Sequence, residues 1–331
     1  MMSKWYEHEG KNADVVLFSR IRLARNLADY PFPSRMSDEI RKTVTKKLYA
    51  TLKSSEYANE FDLINLSECG STQAVSYAEK YLASPDLVKK GGSFMLSKNE
   101  DISVMFCEED HIKINTFAAG EDMQAAYDRA NDIDDMFLKS VKVAYSDKLG
   151  FLTASPINLG TGLKASFVLH LPALREKKAL YKLASMVGKL GLNLRELYKN
   201  AAGDLYILSN QVSLGISEKS AMDNVTAICD QIVKQEREAR EELSQNFEFE
   251  DRIYRNYGIM KSARILKTDE FLNGLSLVRL GTALGYFDTS YATVGEMLHT
   301  LQNASLATDT GKELSDETLE KLRAQIVREK L

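Results

Sequence analysis

Residues 93–117 contain three short strand-like runs, SFMLS, DISVMF and HIKINTF, separated only by KNE and CEED. Connections that short close antiparallel hairpins, because a parallel crossover needs about a dozen residues or more. This argues against a Rossmann or P-loop sheet and predicts an α+β fold: an antiparallel sheet flanked by helices. Helical signals lie on both sides. Ile40, Val44, Leu48 and Leu52 recur four apart over 38–52, and Met123, Ala126, Ala130, Ile133 and Phe137 mark one apolar face over 121–139. Further helices are expected over 177–190 and 217–243, and strands over 166–171 and 204–214.

After about residue 246 the strand signals fade. Thr268–Leu284, Thr293–Leu301 and Ser315–Leu331 read as helices, with Thr268 and Ser315 as N-caps and the polar stretch 302–315 as a loop or linker. The expected division is a mixed α/β part over 1–245 and an all-helical part over 246–331.

Composition narrows the function classes. A net charge of −4 argues against a general nucleic-acid binder. Cys69, Cys107 and Cys229 are far apart with no CxxC spacing, and His8, His111, His170 and His299 are scattered. Neither a disulfide framework nor a protein-held metal site is expected. No apolar run is long enough to span a bilayer, and the start, MMSKWYEHEG, lacks the pattern of a signal peptide. A cytoplasmic location without a membrane partner is expected.

Three stretches stand out. In VVLFSRIRLARNL (15–27) side chains alternate along a strand, so Arg20 and Arg22 project to one side. Two guanidinium groups on one face need anions, either acidic neighbours or bound phosphate. In CEEDHIKIN (107–115) an acidic cluster occupies a tight connection. It is either simply solvated or holds a carboxylate that orients a cationic substrate or Mg²⁺. SPINLGTGLKAS (155–166) is a glycine-rich turn before a strand, and it is not a Walker A motif.

Taken together, SRIRLARN, EEDHIKI and PxNLGTGLKAS followed by HLPAL resemble, in order and spacing, the ATP:guanidino phosphotransferase family. The resemblance is strongest to its bacterial protein-arginine kinase branch. EKYLASP (79–85), LSNQVSLGISE (208–218), DRIYRNYGIM (251–260) and VRLGTALGYF (278–287) extend it over nearly the whole chain. It implies a guanidino-kinase catalytic domain followed by a helical dimerisation or regulatory domain. The implied activity moves the γ-phosphoryl group of ATP to arginine guanidinium groups of proteins, with Mg²⁺ bound through the nucleotide. The implied ATP contacts are Ser19, Arg20, Arg22, Tyr81, Lys113, Lys164, Ala165, Ser166 and Arg195. Glu109 is the implied catalytic carboxylate, gripping the substrate guanidinium. The implied partners are proteins bearing exposed arginine, an activator protein, Clp-type protease machinery and a second copy of the chain.

The sequence departs from the family inside the site. Lys113 and Lys164 stand where arginines are usual, which keeps charge and loses the bidentate fork. Ser155 replaces a cysteine, and Tyr81 a histidine near the adenine. After Arg195 the chain reads RELYKNAAGDLYILSN, without the glycine-acid loop that carries a second substrate glutamate. Glu196 occupies a glycine position. LEKLRA (319–324) keeps Arg323 and Ala324 of the phosphoarginine-binding motif but not its leading Arg-Asp pair. These departures raise an alternative, a catalytically impaired pseudokinase that retains nucleotide or partner binding in a regulatory role. A kinase of free guanidines fits less well, since 1–90 shows no larger helical domain or specificity loop.

Overall fold

The computed structural model describes residues 3–312 and 314–331. In chain order its strands are β1 (Val16–Arg25), β2 (Phe61–Asn65), β3 (Ser93–Ser97), β4 (Ile102–Phe106), β5 (Ile112–Ala119), a small hairpin β6 (Tyr145–Ser146) and β7 (Gly150–Phe151), β8 (Leu163–His170), β9 (Leu192–Glu196) and β10 (Leu205–Asn210). The first helices are α1 (Asp38–Lys53), α2 (Ser71–Glu79), α3 (Pro85–Lys89), α4 (Met123–Ser140), α5 (Pro172–Glu176), α6 (Leu180–Lys189) and α7 (Glu218–Ser244). They are followed by α8 (Phe247–Ser262), α9 (Thr268–Ala283), α10 (Tyr291–Thr300), α11 (Asn303–Thr310) and α12 (Asp316–Lys330).

The main sheet has eight strands in the order β2-β3-β4-β5-β1-β8-β10-β9. Every pairing is antiparallel, and β3-β4-β5 is the meander that the short connections require. β1 lies in the middle, so its arginines are held by strands on both sides. One face of the sheet presents Ile21, Leu23, Ile112, Ile114, Leu163, Phe167 and Leu208 to a core closed by residues of α1, α4 and α7. The other face carries a second apolar cluster, with Phe18, Phe94, Met105, Phe117, Val168 and Ile207 under Trp5 and Leu82. That cluster gives way to charge at Arg20 and Arg22.

The C-terminal helices form their own core from Phe271, Leu275, Val278, Met297, Leu306, Leu319 and Val327, joined by Ala202 and Leu205. Ser315 is the N-cap of α12, accepting from the Thr318 N–H. Thr268 is the first residue of α9 rather than its cap, and its hydroxyl bonds Asn303 at 3.0 Å. The stretch expected as a loop over 302–315 contains α11. That helix is held by the Glu79 carboxylate, which accepts from the Ala304 and Ser305 N–H groups at 3.0 and 2.7 Å. An anion there satisfies N-terminal donors that have no intrahelical partner.

Candidate active site

The register of β1 builds the site. Arg22 faces Lys164 of β8 on one side and Asn115 of β5 on the other; Arg20 faces Ser166 and Phe117. Directly opposed residues share a sheet face. Lys113 joins that face opposite Ala24. Arg195 joins it through Ile207 of β10, which in turn opposes Val168. Five cations from four strands therefore emerge on one face.

Two asparagines hold them. Asn115 is fully buried. Its Oδ1 accepts from Arg20 Nε at 2.6 Å, and its Nδ2 donates to the Tyr81 carbonyl at 3.0 Å and Ser103 Oγ at 3.2 Å. Asn210 accepts the Ala165 N–H at 2.8 Å, and its backbone carbonyl takes a hydrogen bond from Lys164 Nζ. Sequence reasoning missed both. The available signal was an asparagine with the parity of Lys113 inside an apolar strand.

Among the described residues, Arg20, Arg22, Lys164 and Arg195 form no ion pair with a carboxylate. Burial pushes the Arg20 guanidinium well below its usual range, and the charge of Arg22 adds to this. Burial and then Arg195 push Arg22 down. Lys164 is pushed down to about 8 by burial, then by Arg22 and Arg195. Such a cluster favours a polyanion, which compensates several repelling charges at once.

The acidic connection between β4 and β5 divides its labour. Glu108 is buried, ion-paired to Lys113 at 2.6 Å and bonded by Ser84 Oγ at 2.8 Å. Asp110 accepts from Asn26 Nδ2 at 2.6 Å and from the Ala154 N–H at 2.7 Å. His111 accepts the Leu27 N–H on Nδ1 at 2.9 Å, and its Nε2–H donates to the Pro31 carbonyl at 3.0 Å. These three fasten the loops around the site. Glu109 alone stays exposed, and it lines a cleft of ≈ 210 Å³ with Arg22, Lys113, Ser155, Asn158 and Lys164. Partial desolvation raises its pKa, against the opposing pull of Lys113. A carboxylate raised in this way is a better proton acceptor.

Not every implied contact joins the cleft. Ser19 and Ala165 point to the opposite, apolar face, as strand parity demands. Ser19 Oγ donates to the Gly120 carbonyl and accepts the Asp122 N–H, both at 2.8 Å, fixing the start of α4. Ala165 packs in the main core. Ser166 lies on the cation face, with its Oγ donating to the Arg20 carbonyl at 3.3 Å. Tyr81 is beside Phe18, with ring centroids 6.1 Å apart. Arg25 is buried on the far face, 2.7 Å from Asp134, with Phe151 stacked 3.6 Å from its guanidinium carbon.

Glu196 follows Arg195 and so faces away from the cations; it accepts the Ala201 N–H at 3.1 Å. The segment after it folds onto α9, where the Gly203 N–H donates to Asn273 Oδ1 at 3.1 Å. Arg323 is buried with its donors on the Leu301 and Leu266 carbonyls, both at 2.7 Å, and on Asn303 Oδ1.

Comparison with known proteins agrees with this geometry. Residues 40–239 match the model of the ATP:guanido phosphotransferase C-terminal catalytic domain. Residues 246–331 match that of the protein-arginine kinase McsB C-terminal domain. The chain is 37% identical to a protein-arginine kinase of Clostridium acetobutylicum, with all of both chains covered. It is 38% identical to one of Bacillus cereus, covering all of this chain and 96% of the relative. In structure it resembles the duplicated taurocyamine kinase of Schistosoma mansoni bound to transition-state analogue components. That match has TM-score 0.61 and 25% identity, covering 67% of this chain and 33% of the other.

Proposed function

The chain belongs to the ATP:guanido phosphotransferase family, in its protein-arginine kinase branch, and from this membership we propose that it phosphorylates arginine side chains of proteins with ATP. The single observation that carries the reading is the set of Arg20, Arg22, Lys164 and Arg195 on one sheet face, forming no ion pair among the described residues, with Arg22 and Lys164 lining a cleft shared with Glu109.

Phosphoryl transfer leaves a protein mainly two tasks, alignment and charge compensation. Arg20, Arg22, Lys164 and Arg195 compensate the triphosphate, and Asn115 and Asn210 fix the directions of Arg20 and Lys164. Lys113 is tied to Glu108 and acts at longer range. Glu109 holds the substrate guanidinium so that one nitrogen faces the γ-phosphorus. A nitrogen–phosphorus bond forms as the bond to the ADP oxygen breaks, and the nitrogen's proton leaves toward Glu109 or water. Arg20, Arg22, Lys164 and Arg195 would share the compensation of phosphate charge with Mg²⁺ carried by the nucleotide. The described residues offer no cluster of three His, Cys, Asp or Glu to hold it separately.

The pseudokinase alternative is not favoured, since relatives of 37–38% identity over the full chain all bear the kinase's name. In this reading residues 1–245 are catalytic, and 246–331 serve dimerisation and regulation. An activator protein and Clp-type protease machinery are the expected partners in the cytoplasm. No described helix is long and apolar enough to cross a membrane.

The test is incubation with ATP, Mg²⁺ and an arginine-rich protein, read by mass spectrometry under conditions that preserve phosphoarginine. Phosphoarginine that disappears in Glu109→Ala is expected. No signal above that control overturns the proposal.

A further inference from the structure

Arg279 of α9 is a cation that the C-terminal helices bury against the catalytic part. It is 4% exposed. Its guanidinium donates to the Ala13 carbonyl and lies over the Tyr291 ring, 5.0 Å from the centroid. Among the described residues its Nε has no hydrogen-bond partner, and it forms no ion pair. The acids around it are engaged elsewhere. Asp14 accepts from Arg237 at 2.6 and 2.8 Å. Glu236 accepts from Arg240 Nε at 2.8 Å and from the Ala173 and Leu174 N–H groups at 3.1 and 2.9 Å. Glu9 is exposed and accepts the Ala292 N–H at 3.3 Å. Burial pushes the Arg279 pKa down to about 10, and Arg240 adds to this against Tyr291, Asp14 and Glu9.

Arg279 lines a cavity of ≈ 20 Å³ together with Trp5, Tyr6, Phe18 and His299 of α10. The walls are close: a Cβ on Gly295 of α10 would sit 3.2 Å from the Tyr6 carbonyl oxygen. His299 is 2% exposed, and its Nδ1 also has no hydrogen-bond partner among the described residues. The Trp5 and Tyr6 rings are each 5.0 Å from the imidazole, which burial holds neutral with its pKa pushed down to about 3. Two orphaned polar atoms therefore belong to side chains that line one cavity.

Buried polar groups are nearly always paired, so two orphans on one cavity call for an occupant. We propose that this cavity binds a single monoatomic anion, chloride, received by Arg279 Nε–H and His299 Nδ1–H. Size limits the choice. The volume is enough for one water-sized body and too small for a tetrahedral oxyanion. Charge decides between the candidates that fit. A water would satisfy both hydrogen bonds but leave the guanidinium uncompensated among aromatic rings, and an unpaired buried charge is strongly destabilising. A halide satisfies the donors and the charge together. Neutral His299 serves it in the tautomer with hydrogen on Nδ1 and adds no charge of its own. The cavity shares no residue with the cleft of Arg22, Glu109 and Lys164. Its walls come from the N-terminal segment, the sheet, α9 and α10, so the ion fastens the C-terminal helices to the catalytic part.

The test is thermal unfolding of the full chain as chloride replaces gluconate at constant ionic strength. The Tm should rise along a saturating curve, by about 2 °C or more, and bromide should act in the same way. In Arg279→Met the response should vanish. In His299→Phe, which keeps a ring and loses the donor, the half-saturating halide concentration should rise about tenfold, the scale of one hydrogen bond. No response in the wild type, or an equal response in Arg279→Met, is a general salt effect or none and overturns the proposal. Crystals of the wild type soaked in bromide decide the matter if the variants do not fold. An anomalous peak within hydrogen-bond reach of Arg279 Nε and His299 Nδ1 is expected. A cavity that holds only an ordered water, with no anomalous signal, overturns the proposal. Neither measurement uses ATP or a protein substrate, so the outcome is separate from that of the kinase reading.

Discussion

Arg22 on β1 and Lys164 on β8 stand directly opposite each other on one face of the sheet, and neither forms an ion pair with a carboxylate among the described residues. Like charges directly opposed in a sheet destabilise it. The arrangement therefore serves what binds there rather than the fold. Arg22→Ala should leave the free protein as stable as the wild type or slightly more so, as read by urea unfolding. Affinity for Mg·ATP should fall by about tenfold to a hundredfold, the scale of a charge-assisted hydrogen bond of about 1.5–3 kcal/mol. Calorimetry measures this second effect. A variant that loses stability but keeps its nucleotide affinity would contradict the assignment.

The same pair sets a pH response. Lys164 is pushed down to about 8 by burial, then by Arg22 and Arg195. Below that pH its ammonium is in place for phosphate. Above it the amine is neutral and must take up a proton to bind. Nucleotide affinity should thus weaken as pH rises through 8, approaching about tenfold per pH unit at higher pH. Calorimetry at pH 8 in buffers of different ionisation enthalpy should show uptake of about half a proton on binding. Lys164→Arg should abolish the uptake and flatten the profile, since a guanidinium stays charged.

Arg25 provides the contrast. It sits three residues beyond Arg22 and points to the opposite face, between Asp134 and the Phe151 ring. Its guanidinium also donates to the Ala24 and Thr161 carbonyls, both at 2.9 Å. Arg25→Ala would leave Asp134 charged and buried without its partner, which costs about 3–5 kcal/mol. Urea unfolding should show that loss. In conditions where the variant remains folded, nucleotide affinity should be near that of the wild type.

The arginine run in the sequence carried most of this information, since parity along a strand separates Arg20 and Arg22 from Arg25. Parity also places Ser19 and Ala165 away from the cations, although the family pattern groups them with the ATP contacts. The short connections of 93–117 disclosed the antiparallel meander. β2 and β9 were harder to read: FDLIN and LNLRE are five residues each, at the sheet edges, with mixed polarity and no clean alternation. The acidic connection could not be resolved from sequence. What separates Glu109 from Glu108, Asp110 and His111 is the set of partners supplied by Ser84, Lys113, Asn26, Ala154 and Leu27. Those partners are distant in the chain, apart from Lys113. The same holds for α11, which has no broad apolar stripe in NASLATDT and draws its support from elsewhere.

That dependence can be tested. Gln302 precedes α11 without capping it through its side chain, and Glu79 at the end of α2 does so instead. Its carboxylate also accepts from Ser305 Oγ at 2.8 Å. Glu79 thus ties the catalytic part to the C-terminal helices, and α11 in turn holds Arg323 through Asn303 Oδ1. Loss of a capping side chain costs about 0.5–2 kcal/mol. Glu79→Ala should lower stability by about that amount in urea unfolding. It should also raise amide hydrogen exchange over 303–310 while β1 and β8 keep their protection, because the main core does not involve this contact. Exchange that rises equally across the sheet would instead make Glu79 a support of the whole fold.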